Sequence, residues 1–85
     1  MRITIENSES FSSVFESITN QKLHHPVTGI TTDSRDMVIG DLYIALKGKN
    51  IDGHSFLNQV SQNGASAALV NRKNSELDFQ QIEVA

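Results

Sequence analysis

The pattern of hydrophobic and polar residues at the start of the chain predicts a short strand followed by a helix. Residues 1–6 alternate loosely between apolar and polar side chains, which is typical of a strand. The next apolar residues recur at i, i+3, i+4 and i+7, the spacing of one helical face: Phe11, Val14, Phe15 and Ile18. We expect a polar residue within 7–10 to cap this helix and Thr19-Asn20 to end it.

Two apolar runs in the middle of the chain predict further strands. Residues 27–32 are rich in β-branched side chains. Residues 42–46 form a near-continuous apolar run, which is typical of a strand covered on both faces. Between these runs, residues 38–41 predict a turn in which Gly40 takes a positive φ.

The second half of the chain predicts one more helix and two more strands. Asp52, or His54-Ser55, caps a helix that ends at Asn63-Gly64. Three apolar residues of this helix face the core: Phe56, Leu57 and Val60. Residues 65–70 and 79–84 are predicted strands, joined by a polar loop. The order β-α-β-β-α-β-β indicates an α/β fold in a single domain over residues 1–85. We assign all four phenylalanines to its core: Phe11, Phe15, Phe56 and Phe79. Tyr43 is ambiguous, since it combines an apolar body suited to the core with a polar tip.

Composition excludes several functional classes. The chain has 85 residues, no cysteine and a formal net charge of −3. A disulfide, a thiolate nucleophile and a cysteine-bound zinc are therefore excluded, and no basic patch indicates nucleic-acid binding. No apolar run approaches the roughly 18 residues of a membrane helix, and the first residues lack the features of a secretory signal. We expect a soluble, cytoplasmic domain without membrane insertion.

Two polar clusters flank the predicted strand at 42–46, and together they are the best candidate for a ligand site. The first is Asp33-Ser34-Arg35 and the second covers residues 49–54. If they follow two neighbouring strands, they converge on one edge of the sheet. Taken singly, each is as readily a turn, with Asp33 and Asp52 accepting local backbone hydrogen bonds. In a site, the Ser34 hydroxyl would bond a polar ligand and Arg35 would pair with a phosphate, with Asp33 or with Asp41.

Other chemistries find little support. The sequence GKNIDGHS lacks the spacing of a P-loop, and nothing else in the chain fits that pattern. A triad of Ser34, His54 and Asp33 has no nucleophile-elbow signature. The adjacent histidines 24 and 25 do not supply the three or four converging ligands of a metal site. We therefore predict no catalytic residue and no metal ligand.

Four motifs, in this order, resemble the N-terminal domain of the Mur ligases that extend the peptidoglycan stem peptide. They are T-T-D-S-R, G-D-L-Y-I-A-L-K-G, D-G-H-S-F and N-G-A-S-A-A-L-V. The family pattern has D-[ST]-R, then P-G-D-[LI]-F-[VI]-A-[LI]-x-G, D-G-H-x-F and G-A-x-A-x-[LV]. The resemblance runs from Ile30 to Val84, and Ile39 stands where the family usually has proline. It implies a small mixed β-sheet flanked by helices.

The resemblance implies substrate recognition and no catalysis in this chain. In the family this domain holds the uridine-diphosphate end of UDP-N-acetylmuramoyl-peptide. The ATP-binding P-loop lies in a central domain, and a C-terminal domain binds most of the incoming amino acid or dipeptide. Both domains are expected to be absent here, so that ATP and Mg²⁺ belong to the parent enzyme and the chain alone is inactive. The uridine contacts would fall on Thr32, Ser34, Lys49, Asn50 and Ile51. Supporting residues would be Asp33, Arg35, Asp52 and His54.

Two members of the family share these motifs, and the resemblance favours one of them. One adds the third residue of the stem peptide (MurE) and the other adds D-alanyl-D-alanine (MurF). The A-L-K-G run, the V-N-R end of the late strand and the last residues are more similar to MurF. MurE is the first alternative. The second is a non-catalytic domain of the same fold used for protein contacts or regulation, which would bind no UDP-sugar.

Overall fold

The computed structural model describes residues 2–47 and 52–84, and it confirms the predicted order of elements. A 3₁₀ turn over Gly53–Phe56 leads directly into the second helix. The elements are β1 Arg2–Thr4, α1 Ser8–Thr19, β2 Gly29–Thr31, β3 Leu42–Ile44, α2 Leu57–Gln62, β4 Ala67–Val70 and β5 Gln80–Glu83. The central strands are shorter than the apolar pattern suggested, so Thr32 lies just beyond β2.

The strands form one mixed sheet in the order β1-β2-β3-β4-β5. β1 is antiparallel to β2, whereas β2 to β5 are parallel to one another. Thr31 lies beside Tyr43, and Tyr43 lies beside Ala68. Because these neighbours run in the same direction, β2, β3 and β4 all end at one edge of the sheet. Ligands of parallel α/β sheets usually bind at this carboxyl edge.

Helix α1 begins and ends where the polar residues predicted, but two of the four residues in its apolar stripe remain exposed. The Asn7 side chain accepts the Ser10 N–H at 3.0 Å, and Asn20 ends the helix with φ 58°. Phe15 is buried, with the Phe11 ring centroid 5.8 Å from its own. Val14 and Ile18 remain 56% and 77% exposed. The periodicity therefore predicted the helix correctly and overestimated its buried face.

Side chains alternate between two apolar clusters, one on each face of the sheet. The first joins α1 to the sheet through Phe15, Leu23, Val27, Leu42, Ala67 and Ile82. The second joins α2 to the other face through Tyr43, Ala45, Leu57, Val60, Ala68 and Val70. The prediction that β3 is covered on both faces is confirmed. Of the four phenylalanines assigned to the core, only Phe15 is buried, and the others pack against the clusters while partly exposed.

A buried carboxylate ties three strands together at the opposite, amino edge. Asp41 directly precedes β3 and is fully buried. Its oxygens accept hydrogen bonds from Arg2 Nε at 2.6 Å and Arg2 Nη2 at 2.8 Å, and also from the Thr28 hydroxyl and the Val38 N–H. The Arg2 side chain crosses β2 over Gly29, where a Cβ atom would lie 2.6 Å from Nη2. Gly40, in the adjoining turn, has the expected positive φ, 91°.

Candidate functional site

The first polar cluster is a tight turn that follows β2 directly. The buried Thr31 hydroxyl accepts the Asp33 N–H at 3.0 Å, and the Asp33 carboxylate accepts the Arg35 N–H at 2.9 Å. The Asp36 N–H donates to the Asp33 carbonyl at 3.3 Å, which closes the turn. Thr32 is exposed and Ser34 is half-buried. The predicted turn is thus confirmed, and the two residues predicted to contact a ligand lie on its accessible side.

Charge in this turn is arranged around Asp33. The Arg35 guanidinium donates to both carboxylate oxygens, at 3.0 Å and 2.9 Å, and these bonds lower the pKa of Asp33 to about 2. The Thr31 hydroxyl likewise lowers the pKa of Asp36. Of the three partners proposed for Arg35, the structure contains Asp33, whereas Asp41 is bound by Arg2. Since the Arg35 side chain is 87% exposed, it is accessible to an anion as well.

The second cluster follows β3, and the structure describes the residues on either side of 48–51. Lys47 and Asp52 form an antiparallel bridge, and the Gly53 N–H donates to the Leu46 carbonyl at 2.7 Å. Lys49, Asn50 and Ile51, the predicted contacts in this cluster, lie outside the described residues. The two residues that flank the unassigned segment are therefore adjacent, at the carboxyl edge of the sheet.

His54 connects this second cluster to the end of β4. Asp52 caps the 3₁₀ turn by accepting the His54 N–H at 3.0 Å, so the alternative cap at His54-Ser55 is wrong. Its Oδ1 atom also lies 2.6 Å from His54 Nδ1. The backbone N–H of His54, followed by its side chain, lowers the pKa of Asp52. On the far side of the ring, the Asn71 N–H donates to Nε2 at 3.0 Å. Sequence patterns held no signal for the Asn71 contact, since it joins two segments through a strand register.

Tyr43 lies beneath both clusters. Its hydroxyl is buried and donates to the Gly53 carbonyl at 2.9 Å, which is the polar contact expected of its tip. Burial raises the pKa of Tyr43, and the negative charges of Asp33 and Asp52 raise it further. Both carboxylates are therefore within electrostatic range of one phenol. Because β2 and β3 are adjacent and parallel, the residues that follow them lie at the same edge of the sheet, which is the condition on which the sequence predicted convergence.

Concave surface at this edge is modest. A depression of about 290 Å³ adjoins the second cluster, and its lining includes His54, Leu57 and residues 72–76. Depressions of larger volume lie elsewhere. One of them, of about 410 Å³, lies at the amino edge and is lined in part by His24 and His25. Within residues 2–47 and 52–84, no group of three acidic, histidine or cysteine side chains is placed to hold a metal ion. In the same ranges, no helix is long and apolar enough to cross a bilayer.

Comparison with known proteins identifies the family. A family model described as "Mur ligase family, catalytic domain" matches residues 26–84. The chain belongs to the Mur ligase family. Among curated relatives, the UDP-N-acetylmuramoyl-tripeptide–D-alanyl-D-alanine ligase of Synechocystis is 43% identical over 56 residues, which are 66% of this chain. The Escherichia coli enzyme of the same name is 42% identical over 55 residues. The Bacillus velezensis UDP-N-acetylmuramoyl-L-alanyl-D-glutamate–2,6-diaminopimelate ligase is 40% identical over 62 residues.

Solved Mur ligase structures share the fold. MurF from Acinetobacter baumannii superimposes with a TM-score of 0.75 at 30% identity, covering all of this chain and 18% of its own. MurF from Thermotoga maritima, solved in complex with ADP, gives 0.59 at 34% identity and covers 65% of this chain. The predicted α/β fold with a small mixed sheet and the MurF-like resemblance are confirmed. The chain spans only about an eighth of its curated relatives, for example 12% of the Synechocystis ligase.

Proposed function

We propose that this chain is the substrate-recognition domain of a MurF-like ligase and holds the uridine-diphosphate end of UDP-N-acetylmuramoyl-peptide. The parent enzyme would form an amide bond to D-alanyl-D-alanine at the expense of ATP, through an acyl phosphate and with Mg²⁺. One observation carries this proposal: the turn at 32–36 follows β2, and the bridged residues Lys47 and Asp52 follow β3, so both lie at the carboxyl edge of two adjacent parallel strands. Ligands bind at such edges in parallel α/β sheets.

The chemistry of this edge suits a uridine better than an isolated phosphate. Uracil requires a donor and an acceptor side by side, which turn amides and the Ser34 hydroxyl supply. The described residues of the 32–36 turn and on either side of 48–51 include three carboxylates, Asp33, Asp36 and Asp52, and two cations, Arg35 and Lys47. A diphosphate therefore depends on turn amides, on Lys49 and on Arg72 and Lys73, which follow Asn71 at the end of β4. A net charge of −3 does not prevent this, because binding responds to the local field.

A MurE-like parent, which would add the third stem residue, is the second candidate. It is supported by the Bacillus velezensis diaminopimelate ligase, whose identity of 40% is close to that of the MurF-like relatives. Both candidates use the same UDP end, so they differ only in the peptide and in the incoming group. The remaining alternative, a non-catalytic interaction domain, differs at the site itself because it requires no nucleotide.

Titration with UDP tests the recognition role directly. We expect amide resonances of Thr32, Ser34 and residues 49–51 to shift in ¹⁵N spectra at millimolar UDP. Ser34→Ala should weaken binding about two- to tenfold, the value of one neutral hydrogen bond. Ser13→Ala, on the exposed part of α1, is the matched control and should bind as the unmodified chain does. If none of these amide resonances shifts at millimolar UDP, the proposal is contradicted.

The division of labour with the parent enzyme gives a second prediction. We expect the 85-residue chain to turn over no ATP, because it contains no P-loop pattern to hold the phosphates. Phosphate release with ATP and Mg²⁺ is the measurement, with an intact Mur ligase as the positive control. The matching family model is described as a catalytic domain. Turnover of ATP by this chain would therefore show that catalysis takes place here and would refute our assignment.

A further inference from the structure

We propose that His54 is a positioning residue that fixes Asp52 and Gly53, at the start of the 3₁₀ turn, by linking them to the end of β4. This inference rests on the proposed function, because Asp52 and Gly53 belong to the second polar cluster of the candidate site. The His54 ring lies between two other groups, the Asp52 carboxylate and the Asn71 N–H, and it bonds both.

The two hydrogen bonds require one tautomer of the imidazole. An amide N–H is only a donor, so Nε2 must accept from Asn71 with a lone pair. The proton of a neutral ring is then on Nδ1, where it is donated to Asp52 at 2.6 Å. A second proton, on Nε2, would oppose the Asn71 donor. Among the described residues, charged groups near the ring include Lys47, whose backbone forms a β-bridge with that of Asp52. Arg72, Lys73 and Glu76 line the same depression as His54.

The other hydrogen bonds that the structure describes for Gly53 and Ser55 stay within the turn or lead to β3 and its extension, so the histidine supplies a different connection. The Gly53 N–H and carbonyl bond Leu46 and Tyr43, both from β3 or its immediate extension. The Ser55 hydroxyl donates back to the Asp52 carbonyl at 2.8 Å, within the same turn. The His54 ring supplies the bond to β4. With the ring only 19% exposed, these hydrogen bonds are partly protected from competing water.

Two substitutions separate the ends of this link. His54→Asn retains an amide donor at the position of Nδ1, so it can bond Asp52 but reaches Asn71 poorly. His54→Gln reaches the position of Nε2 and can accept from Asn71, but it lies badly for Asp52. We expect each variant to weaken UDP binding about three- to tenfold, since each loses one of the two side-chain bonds that link Asp52 to the end of β4. His54→Ala should weaken binding at least as much as either.

A purely structural role would produce a different result. Val60→Ala creates a cavity under α2, in the second apolar cluster, and leaves the His54 contacts in place. It should lower thermal stability while the folded protein still binds UDP normally. In the unmodified chain, long-range ¹H–¹⁵N spectra should show a protonated Nδ1 and an unprotonated Nε2 for His54. The Asn71 amide should exchange slowly with deuterium, and it should exchange faster in His54→Asn than in His54→Gln.

The outcomes distinguish this inference from the proposed function. If the unmodified chain binds UDP and both His54 variants bind equally well, the positioning role is refuted and substrate recognition stands. The opposite tautomer would also refute it. If the unmodified chain shows no response to UDP, the proposed function fails and the positioning role fails with it.

Discussion

Asp41→Asn should lower the free energy of unfolding by about 2–4 kcal/mol, one of the two largest effects we expect in this chain. Asp41 is fully buried and accepts hydrogen bonds from three different residues, among them the Arg2 guanidinium. The amide keeps the shape and loses the charge, and its NH₂ group faces donors. An 85-residue domain has a total stability of about 4–13 kcal/mol, so this loss is a large fraction of it. Urea unfolding followed by circular dichroism is the measurement.

The same carboxylate gives the expected pH dependence. Burial opposes ionisation of Asp41, but hydrogen bonds from Arg2, Val38 and Thr28 outweigh it and lower the pKa below 3.8. The folded state therefore binds this proton less readily than the unfolded state does. The resulting stabilisation is present above the ordinary pKa and is lost as the pH falls through the lowered one. Asp41→Asn should lack this part of the acid transition.

The Asp33–Arg35 pair is a matched control at the other edge of the sheet. Its geometry is equally bidentate, but the Arg35 side chain is 87% exposed. Exposed ion pairs contribute little to stability, so Arg35→Ala should leave the urea midpoint nearly unchanged. Equal effects of Asp41→Asn and Arg35→Ala would contradict the view that burial, and not pairing alone, makes the Asp41 network important.

Gly53→Ala should both destabilise the chain, by about 1–3 kcal/mol or more, and abolish detectable UDP binding. A Cβ at this position would lie 2.8 Å from the Leu46 N atom, 3.0 Å from the Leu46 O atom and 3.0 Å from the Tyr43 hydroxyl. Two of these atoms belong to the backbone of the segment that leaves β3, so the clash is relieved only by moving the second cluster. Thermal unfolding and the UDP titration together measure the effect.

Gly29→Ala separates loss of stability from loss of the site. Its Cβ would also be crowded, at 2.6 Å from Arg2 Nη2 and 2.8 Å from the Ile3 carbonyl, but this crowding lies at the amino edge. We expect that variant to be less stable and, below its unfolding transition, to bind UDP. Binding by Gly53→Ala as tight as by Gly29→Ala would show that the close approach at Gly53 does not shape the candidate site.

Much of the local structure followed from residue types that act over short distances. Asn7 and Asp52 begin helical turns because their side chains accept nearby N–H groups, and Asn20 ends α1 in the left-handed conformation, with its own N–H donated to the Glu16 carbonyl. Gly40 was predictable for the same reason, since a turn that needs positive φ favours glycine. Burial was less predictable. Val14 and Ile18 fit the helical stripe but stay exposed, because periodicity shows which residues share a face and not how much of that face another element covers.

The sequence predicted two polar clusters, and it predicted their convergence only on the condition that they follow neighbouring strands. Each polar cluster is compatible with an ordinary turn, and what suggested a site was their order and their resemblance to a family. Their convergence depends on β2 and β3 being adjacent and parallel, with Thr31 beside Tyr43. The Asn71–His54 bond depends in addition on β4 being the next strand. No pattern along the chain encodes these neighbours.

The sequence by itself determined the α/β class, the positions of helix caps and turns, the two polar clusters and the family. These depend on side-chain periodicity and on motifs that act within a few residues. Only the tertiary structure decided which partner each charge takes: Arg2 with Asp41, Arg35 with Asp33, and His54 between Asp52 and Asn71. The physical reason is that an ion pair or hydrogen bond requires atoms within about 3 Å, and for residues far apart in sequence that distance is set by strand order and register.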